Sequence, residues 1–296
     1  MSRNGARALA VVGLLTMAVA APAQDSGSGY VTVGADRLWF HEAGSGEAVI
    51  LLHDGLVHSA GMEDLQRSLS TRFRVIRYDR RGYGRSDTPT EPFSPVTDVL
   101  AVLDHLDVDR GVLVGASSGG GGAIEVALAR PDRTSALVLL GAVVVGHPYS
   151  GHFRRRGRRN MEPATRGDFR SAMRNWIEDP YLLADDRVDA RERLWSIVEP
   201  YAEKHLTIPF DLAELPARVA ADRLGEVRAP TLVVVGEADI PDVHAHAGVI
   251  EAGVRDSRRV VLEDAGHLLF FERPDAVSRL IVEFLEGANP EGGGGP

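Results

Sequence analysis

Residues 111–122 read GVLVGASSGGGG, and few folds accommodate such a stretch. An apolar run stops at a pair of serines, four glycines follow, and apolar residues resume at Ala123. The pattern is a buried strand, a tight turn, and a helix whose first turn carries no side chains. Each glycine in a helix costs about 1 kcal/mol relative to alanine. Close packing of the helix start against a strand would offset that cost. Gly115-Ala116-Ser117-Ser118-Gly119 fits G-x-S-x-G in the strand-to-helix context that a nucleophile elbow requires. Centred on Ser117, the turn has glycine two residues before and two after, where backbones approach closely. Centred on Ser118 it has Ala116 and Gly120 there, a poorer fit. In the first register the Ser118 N–H lies at the positive end of the helix, facing a developing oxyanion. A phosphate-binding loop fits badly, because the stretch has neither Lys-Ser or Lys-Thr nor G-x-G-x-x-G.

The flanking sequence repeats a strand–helix rhythm. YVTV and RLWFHEAG suggest an opening hairpin around Ala35-Asp36. Apolar runs at 48–54, 73–79, 111–116 and 135–142 read as strands, separated by helical stretches at 62–69, 95–106 and 118–130. From about Gly146 to Gly225 the pattern is mostly helical, and no strand-like run appears. The rhythm then returns with a strand at 231–237, a helix near 244–252, a strand at 258–264 and an amphipathic helix at 274–286. An α/β core with a mostly parallel sheet, interrupted once by a helical insertion, follows from this order.

The N-terminus has its own pattern. Arg3 and Arg7 precede the apolar run Ala8 to Ala20, and Ala21-Pro22-Ala23 offers a small-residue cleavage site. That is the form of a secretory signal peptide, so residues 1–23 are expected to be removed and the mature chain to be secreted or periplasmic. The run is shorter than the about 20 apolar residues of a bilayer span, and none is expected in the mature chain. A formal net charge of -9 argues against nucleic acid as a partner. The chain has no cysteine, which excludes thiolate catalysis and disulfides. The expected division is therefore core 24–146, helical cap 147–225, core 226–287, and a low-complexity tail at 288–296.

With LLHDGL, YDRRGYGRSDTP, VGASSGG, PTLVVVGEADIP and DAGHLLFFERP in that order, the chain resembles the α/β-hydrolase family from Tyr30 to Glu286. It is most similar to the serine esterase and enol-lactonase-like branch, with a helical cap between the sixth and seventh core strands. The resemblance implies a Ser-acid-His triad. Ser117 is the expected nucleophile and His267, in DAGHLLF, the expected base. Asp239 matches the family's G-x-x-D and is the expected acid, ahead of Asp242, which also suits a helix cap, and of Glu237. Gly55 is the expected second backbone donor to the oxyanion beside Ser118, with Asp54 or Leu56 as alternatives if the loop is shifted. Many relatives read His-Gly where this chain has His53-Asp54, so Asp54 should point away from the hole, as a turn residue or bound to something specific. His53 is expected to hold the oxyanion loop, and Arg80 and Arg81 to tie their loop to carboxylates.

Of the other histidines, His244 and His246 are expected to face solvent from a helix, while His41, His58, His105, His147, His152 and His205 carry no motif. The run Phe153 to Arg159 reads as a solvated face, with attraction of an anionic substrate or a membrane surface as sharper alternatives. Trp176, Tyr181, Trp195, Tyr201 and Phe210 either pack the cap on the core or line an acyl pocket. The implied activity is hydrolysis of a small carboxylic ester or lactone through an acyl-enzyme, with no metal or organic cofactor. Cleavage of carbon–carbon bonds, peptidase, perhydrolase and hydroxynitrile lyase chemistry use the same triad and stay open. Dehalogenases and epoxide hydrolases need aspartate in place of Ser117 and are disfavoured. A non-catalytic binding module is the alternative of a different class.

Overall fold

A computed structural model describes residues 27–184, 188–214 and 216–288. The expected cleavage site and the end of the tail lie outside the described residues. The chain builds one eight-stranded sheet of β1 (Gly27–Val33), β2 (Asp36–Ala43), β3 (Ala48–Leu52), β4 (Arg74–Tyr78), β5 (Gly111–Ala116), β6 (Thr134–Leu140), β7 (Thr231–Gly236) and β8 (Ser257–Leu262). The order across the sheet is β1-β2-β4-β3-β5-β6-β7-β8. Only the β1–β2 and β2–β4 pairs are antiparallel.

Continuous apolar strands are what a sheet covered on both faces demands. Every residue of β3, β5 and β7 is buried. Alternation then divides them between two cores. Ile50 and Leu52 pack with α2 (Pro95–His105), α3 (Ser118–Ala129) and the last long helix before β8, while Val49 and Leu51 face the opposite core. That second core is closed by α1 (Glu63–Leu69) and by the helix that ends the described chain. The sheet's carboxyl edge stays free for chemistry, as is general for open α/β sheets.

Between β6 and β7 lie α4 (Gly151–Met161), α5 (Phe169–Ile177), α6 (Val188–Val198) and α7 (Ala202–Leu206). Several polar contacts tie this helical insertion to the core. Ser150, which caps α4, donates its N–H and hydroxyl to Asp242 at 2.6 and 2.8 Å. Lys204 Nζ donates to the carbonyls of Gly84 and Ser86. His205, on α7, accepts the Gly84 N–H at Nε2 (3.0 Å) and pairs through Nδ1 with the Leu56 carbonyl (3.1 Å). Accepting at Nε2 fixes the proton on Nδ1, so this ring serves both partners only while neutral. Burial, with His58 beside it, pushes its pKa down to about 3. A histidine depressed below its unfolded value of about 6.5 contributes stability that is present above that pH and lost as pH falls. The stability difference between the wild type and His205→Gln should therefore shrink below pH 6.5, by up to about 1.4 kcal/mol per pH unit. Urea titrations of both proteins between pH 7.5 and 5 read this directly, and a constant difference would contradict it.

After β7 come α8 (Pro241–Gly253), then β8, α9 (Leu269–Glu272) and α10 (Pro274–Ala288). Two expectations need correction here. Helix α8 begins at Pro241 rather than near His244, because proline at the first helical position needs no N–H partner. His246 does not face solvent. It sits on the inner side of α8 with Val243 and Ile250, fully buried, and accepts the Val144 N–H at Nδ1 (3.1 Å).

Candidate active site

The elbow is formed at Ser117, whose φ of 50° lies in the left-handed region. A non-glycine residue there is strained and is held only by its surroundings. The flanking glycines explain how. A Cβ on Gly115 would stand 2.6 Å from the Gly119 carbonyl oxygen, and one on Gly119 would stand 2.2 Å from that of His53. Gly120 lies against Ala142 in the same way, at 2.4 Å. Three of the glycines thus let α3 start hard against β5, the end of β3 and the residues that follow β6.

Ser117 Oγ is 2.9 Å from His267 Nε2, and His267 Nδ1 is 2.9 Å from Asp239 Oδ2. The structure therefore brings together the three residues named from sequence. His267 stands on the loop after β8, where its own N–H and that of Leu268 bond the carbonyls of Tyr181 and Leu182 in the insertion. Asp239 is buried, and its Oδ1 also accepts the Ile240 N–H at 2.7 Å. Gly141, with φ of 54°, makes room for the pair: a Cβ there would lie 3.2 Å from Asp239 Oδ2 and 3.3 Å from His267 Nδ1. Asp242 is occupied by Ser150, and Glu237 is exposed. Burial pulls the His267 pKa down, but the adjacent Asp239 carboxylate more than offsets it, and the net is above the usual imidazole value.

The oxyanion loop follows β3. His53 accepts the Arg80 N–H at Nε2 (2.8 Å), so its Nδ1–H donates to the Asp54 carbonyl (2.8 Å) and fixes the loop, as expected. Asp54 folds into its own turn, where Oδ1 accepts the N–H groups of Leu56 (2.6 Å) and Val57 (3.0 Å). Its Oδ2 is buried without a partner, and burial raises its pKa. The Leu56 amide is therefore committed. Among the described residues no acceptor takes the N–H of Gly55 or of Ser118, and the two residues adjoin, a Gly55 Cβ standing 3.1 Å from Ser118 Oγ. Two free backbone donors beside a serine hydroxyl are what an oxyanion requires.

Two arginines behave unlike the rest of their motifs. Arg81 is tied to the buried carboxylates of Asp36 and Asp98 (2.5 and 2.7 Å), as expected for that loop. Arg80 instead gives one nitrogen to the His53 and Asp54 carbonyls and to Ser118 Oγ (2.9 Å). In the arginine-rich run, Arg154, Arg155, Arg158 and Arg159 face solvent, but Arg156 turns inward. Its Nε donates to Asp179 (2.7 Å), and its guanidinium lies over the rings of Trp176, Tyr181 and Phe153 at 4.9, 5.6 and 5.9 Å. A cavity of about 330 Å³ is lined by Ser117, His267, Gly55, Arg156, Trp176 and Phe210, among others. Of the other cap aromatics, Trp195 stacks on Arg174 and Tyr201 on His205. No sequence pattern marks which arginine of the run points inward. Among the described residues no cluster of side chains has the composition of a metal site, and no helix is long and apolar enough to cross a membrane.

The comparisons with known proteins agree with this geometry. The family model for the alpha/beta hydrolase fold matches residues 48–274. The chain belongs to the α/β-hydrolase family. It is a hydrolase by that membership, and the relatives differ in the bond they break. The chain is 28% identical over 264 residues to the 2-hydroxy-6-oxononadienedioate/2-hydroxy-6-oxononatrienedioate hydrolase of Comamonas testosteroni, covering 84% of this chain and 91% of the relative. It is equally similar, at 28% over 264 residues, to the 2-hydroxy-6-oxo-6-phenylhexa-2,4-dienoate hydrolase of Burkholderia cepacia, again covering 84% of this chain and 91% of the relative. Among solved structures, a thermophilic esterase from Thermogutta terrifontis superposes with a TM-score of 0.74 at 26% identity, covering 88% of this chain and 99% of that one. The expected ester or lactone activity is thus less well supported than its carbon–carbon alternative.

Proposed function

We propose that the chain is a serine hydrolase that cleaves the carbon–carbon bond beside a ketone in a small, carboxylate-bearing substrate of the 2-hydroxy-6-oxo-dienoate type. Arg156 is the observation that carries this reading over simple ester hydrolysis. It brings a buried cation to the wall of the catalytic cavity, and among the described residues only its Nε has a protein acceptor. Its remaining N–H groups suit a carboxylate, and the two hydrolases from Comamonas and Burkholderia are named for carboxylate substrates.

In the proposed reaction Ser117 Oγ attacks the C6 carbonyl of the diketone tautomer while His267 Nε2 takes its proton. The N–H groups of Gly55 and Ser118 hold the oxyanion. Collapse breaks the C5–C6 bond, and the electron pair passes into the conjugated 2-oxo acid. Such delocalisation is what lets carbon leave. His267 returns its proton to the departing dienolate, then activates water to release the acid from Ser117. An ester substrate would follow the same steps with an alcohol leaving, and the similarity to the Thermogutta esterase favours this as the second reading.

The test is turnover of 2-hydroxy-6-oxo-6-phenylhexa-2,4-dienoate, followed by loss of its visible absorbance, beside p-nitrophenyl butyrate. The dienoate should have the larger kcat/KM. In Arg156→Gln it should lose about 10–100-fold, the worth of a charge-assisted contact, and the neutral ester should lose less. Turnover of the ester alone, with the dienoate untouched, would leave the esterase reading.

A further inference from the structure

A second cavity, of about 400 Å³, lies behind the elbow along α3 and shares Ser118, Val143 and Phe210 with the lining of the catalytic cavity. Its walls are mainly apolar, from Tyr83, Phe93, Val96 and Val145, and Gly121 and Gly122 leave the α3 side bare. A Cβ on Gly121 or Gly122 would meet Val143 or Pro95 at 3.1 Å, looser than the contacts of Gly119 and Gly120, and both glycines line this cavity.

One side chain in this chamber has no structural employment. Glu125, one turn beyond Gly121 on α3, is more than nine-tenths buried, and its Oε1 has no hydrogen-bond partner. Arg223, the cation that most influences it, bonds Glu226 instead. The other charged groups of the chamber are accounted for. Arg81 and Asp98 are paired with each other, Arg80 is bonded at the junction, and Glu214 is exposed. A buried carboxylate without a donor costs free energy, so its retention on a cavity wall points to a ligand group that supplies one.

The position of His267 assigns the two chambers. It lines the first cavity and not the second. The leaving group must lie within reach of the His267 proton, so the leaving half occupies the first chamber, with Arg156. Ser117 and Gly55 likewise line only the first, so the acyl carbonyl stays there, and the far end of the acyl chain is left with the second, past Ser118, Val143 and Phe210. We infer that the second chamber is the acyl subsite, and that Glu125 at its inner end selects acyl groups terminating in a hydrogen-bond donor, ammonium or hydroxyl, and rejects those ending in a carboxylate. This rests on the serine-hydrolase reading above. Glu125 lies seven helical steps beyond Ser118, about 10 Å along the axis, and the glutamate side chain leans back toward the helix start. An acyl chain of about six carbons fits that span.

p-Nitrophenyl esters of 6-aminohexanoate, hexanoate and adipate (as the monoester) test it, with kcat/KM measured for the wild type and Glu125→Gln and the Ser117 acyl-enzyme monitored by intact mass. The wild type should prefer the ammonium chain to the carboxylate chain by at least about 100-fold. In Glu125→Gln that ratio should fall at least tenfold. The ratio is internal to each protein, so partial loss of folded enzyme does not affect it. Equal ratios in the two proteins would overturn the subsite. Absence of p-nitrophenolate release and of any Ser117 adduct would overturn the hydrolytic reading and the subsite with it, and the mass spectrum distinguishes that failure from the first.

Discussion

Asp239→Asn should fold like the wild type and lose about 10³–10⁴-fold in kcat, the scale seen when a triad acid is made neutral. The reason is local. Asp239 Oδ1 accepts the Ile240 N–H at 2.7 Å, so an asparagine keeps its carbonyl oxygen there and turns its NH₂ toward His267. Nδ1, now facing a donor at the 2.9 Å position, must give up its proton to Nε2. A protonated Nε2 cannot accept the hydrogen of Ser117. The pH dependence should change as well. The Asp239 carboxylate overcomes the effect of burial and holds the His267 pKa above 6.5, so the acid limb of kcat/KM in the wild type lies above that value. Activity falls as pH drops through it, because the base becomes charged. In Asp239→Asn the limb moves to lower pH, since burial is then opposed only by the weaker influence of Asp54. A pH–rate profile of both proteins, with circular dichroism to verify the fold, reads both effects; an unchanged limb would count against the assignment.

Gly119→Ala should be among the most damaging single-methyl changes in the chain, against what helix propensity suggests. Alanine in place of a helical glycine ordinarily stabilises by about 1 kcal/mol. Here the new Cβ would stand 2.2 Å from the His53 carbonyl oxygen and 2.4 Å from that of Leu52, both backbone atoms at the end of β3. Either α3 withdraws or the oxyanion loop moves, and overpacking of this kind costs about 1–3 kcal/mol or more. Gly157→Ala supplies the control, because nothing lies within 4 Å of a Cβ there on α4. Chemical denaturation should give opposite signs for the two variants, with activity lost only in the first. Equal stabilisation by both would show that α3 does not press on β3.

The parts of this structure that were legible in the sequence are those fixed by neighbours in the chain. Runs such as Ala48–Leu52 and Thr231–Gly236 have no polar face, so they read as doubly covered strands. Ser117 sits in a turn following an apolar strand and its flanking glycines marked it, while Asp239 and His267 were marked by the family motifs in which they stand. His53 was legible for the same reason. What escaped was set by packing between distant segments. Arg156 is one arginine in a run of five, and it turns inward because Asp179 and the Trp176 ring meet it 23 and 20 residues later. His246 looked like a surface residue because the helical period alone does not say which face of α8 meets Val144. Glu125 sits in the interior of a helix, with no pattern to show that α3 borders a cavity there. The bond cleaved was illegible too, since one triad serves esters and carbon–carbon bonds alike.

The central claim is that Ser117 is an activated nucleophile. Fluorophosphonate labelling followed by peptide mass mapping tests it most directly, with wild type, Ser117→Ala and Ser118→Ala run together. A single adduct is expected on Ser117, absent in Ser117→Ala and retained in Ser118→Ala, whose backbone N–H is intact. An adduct on Ser118, or none on folded wild-type protein, would contradict it.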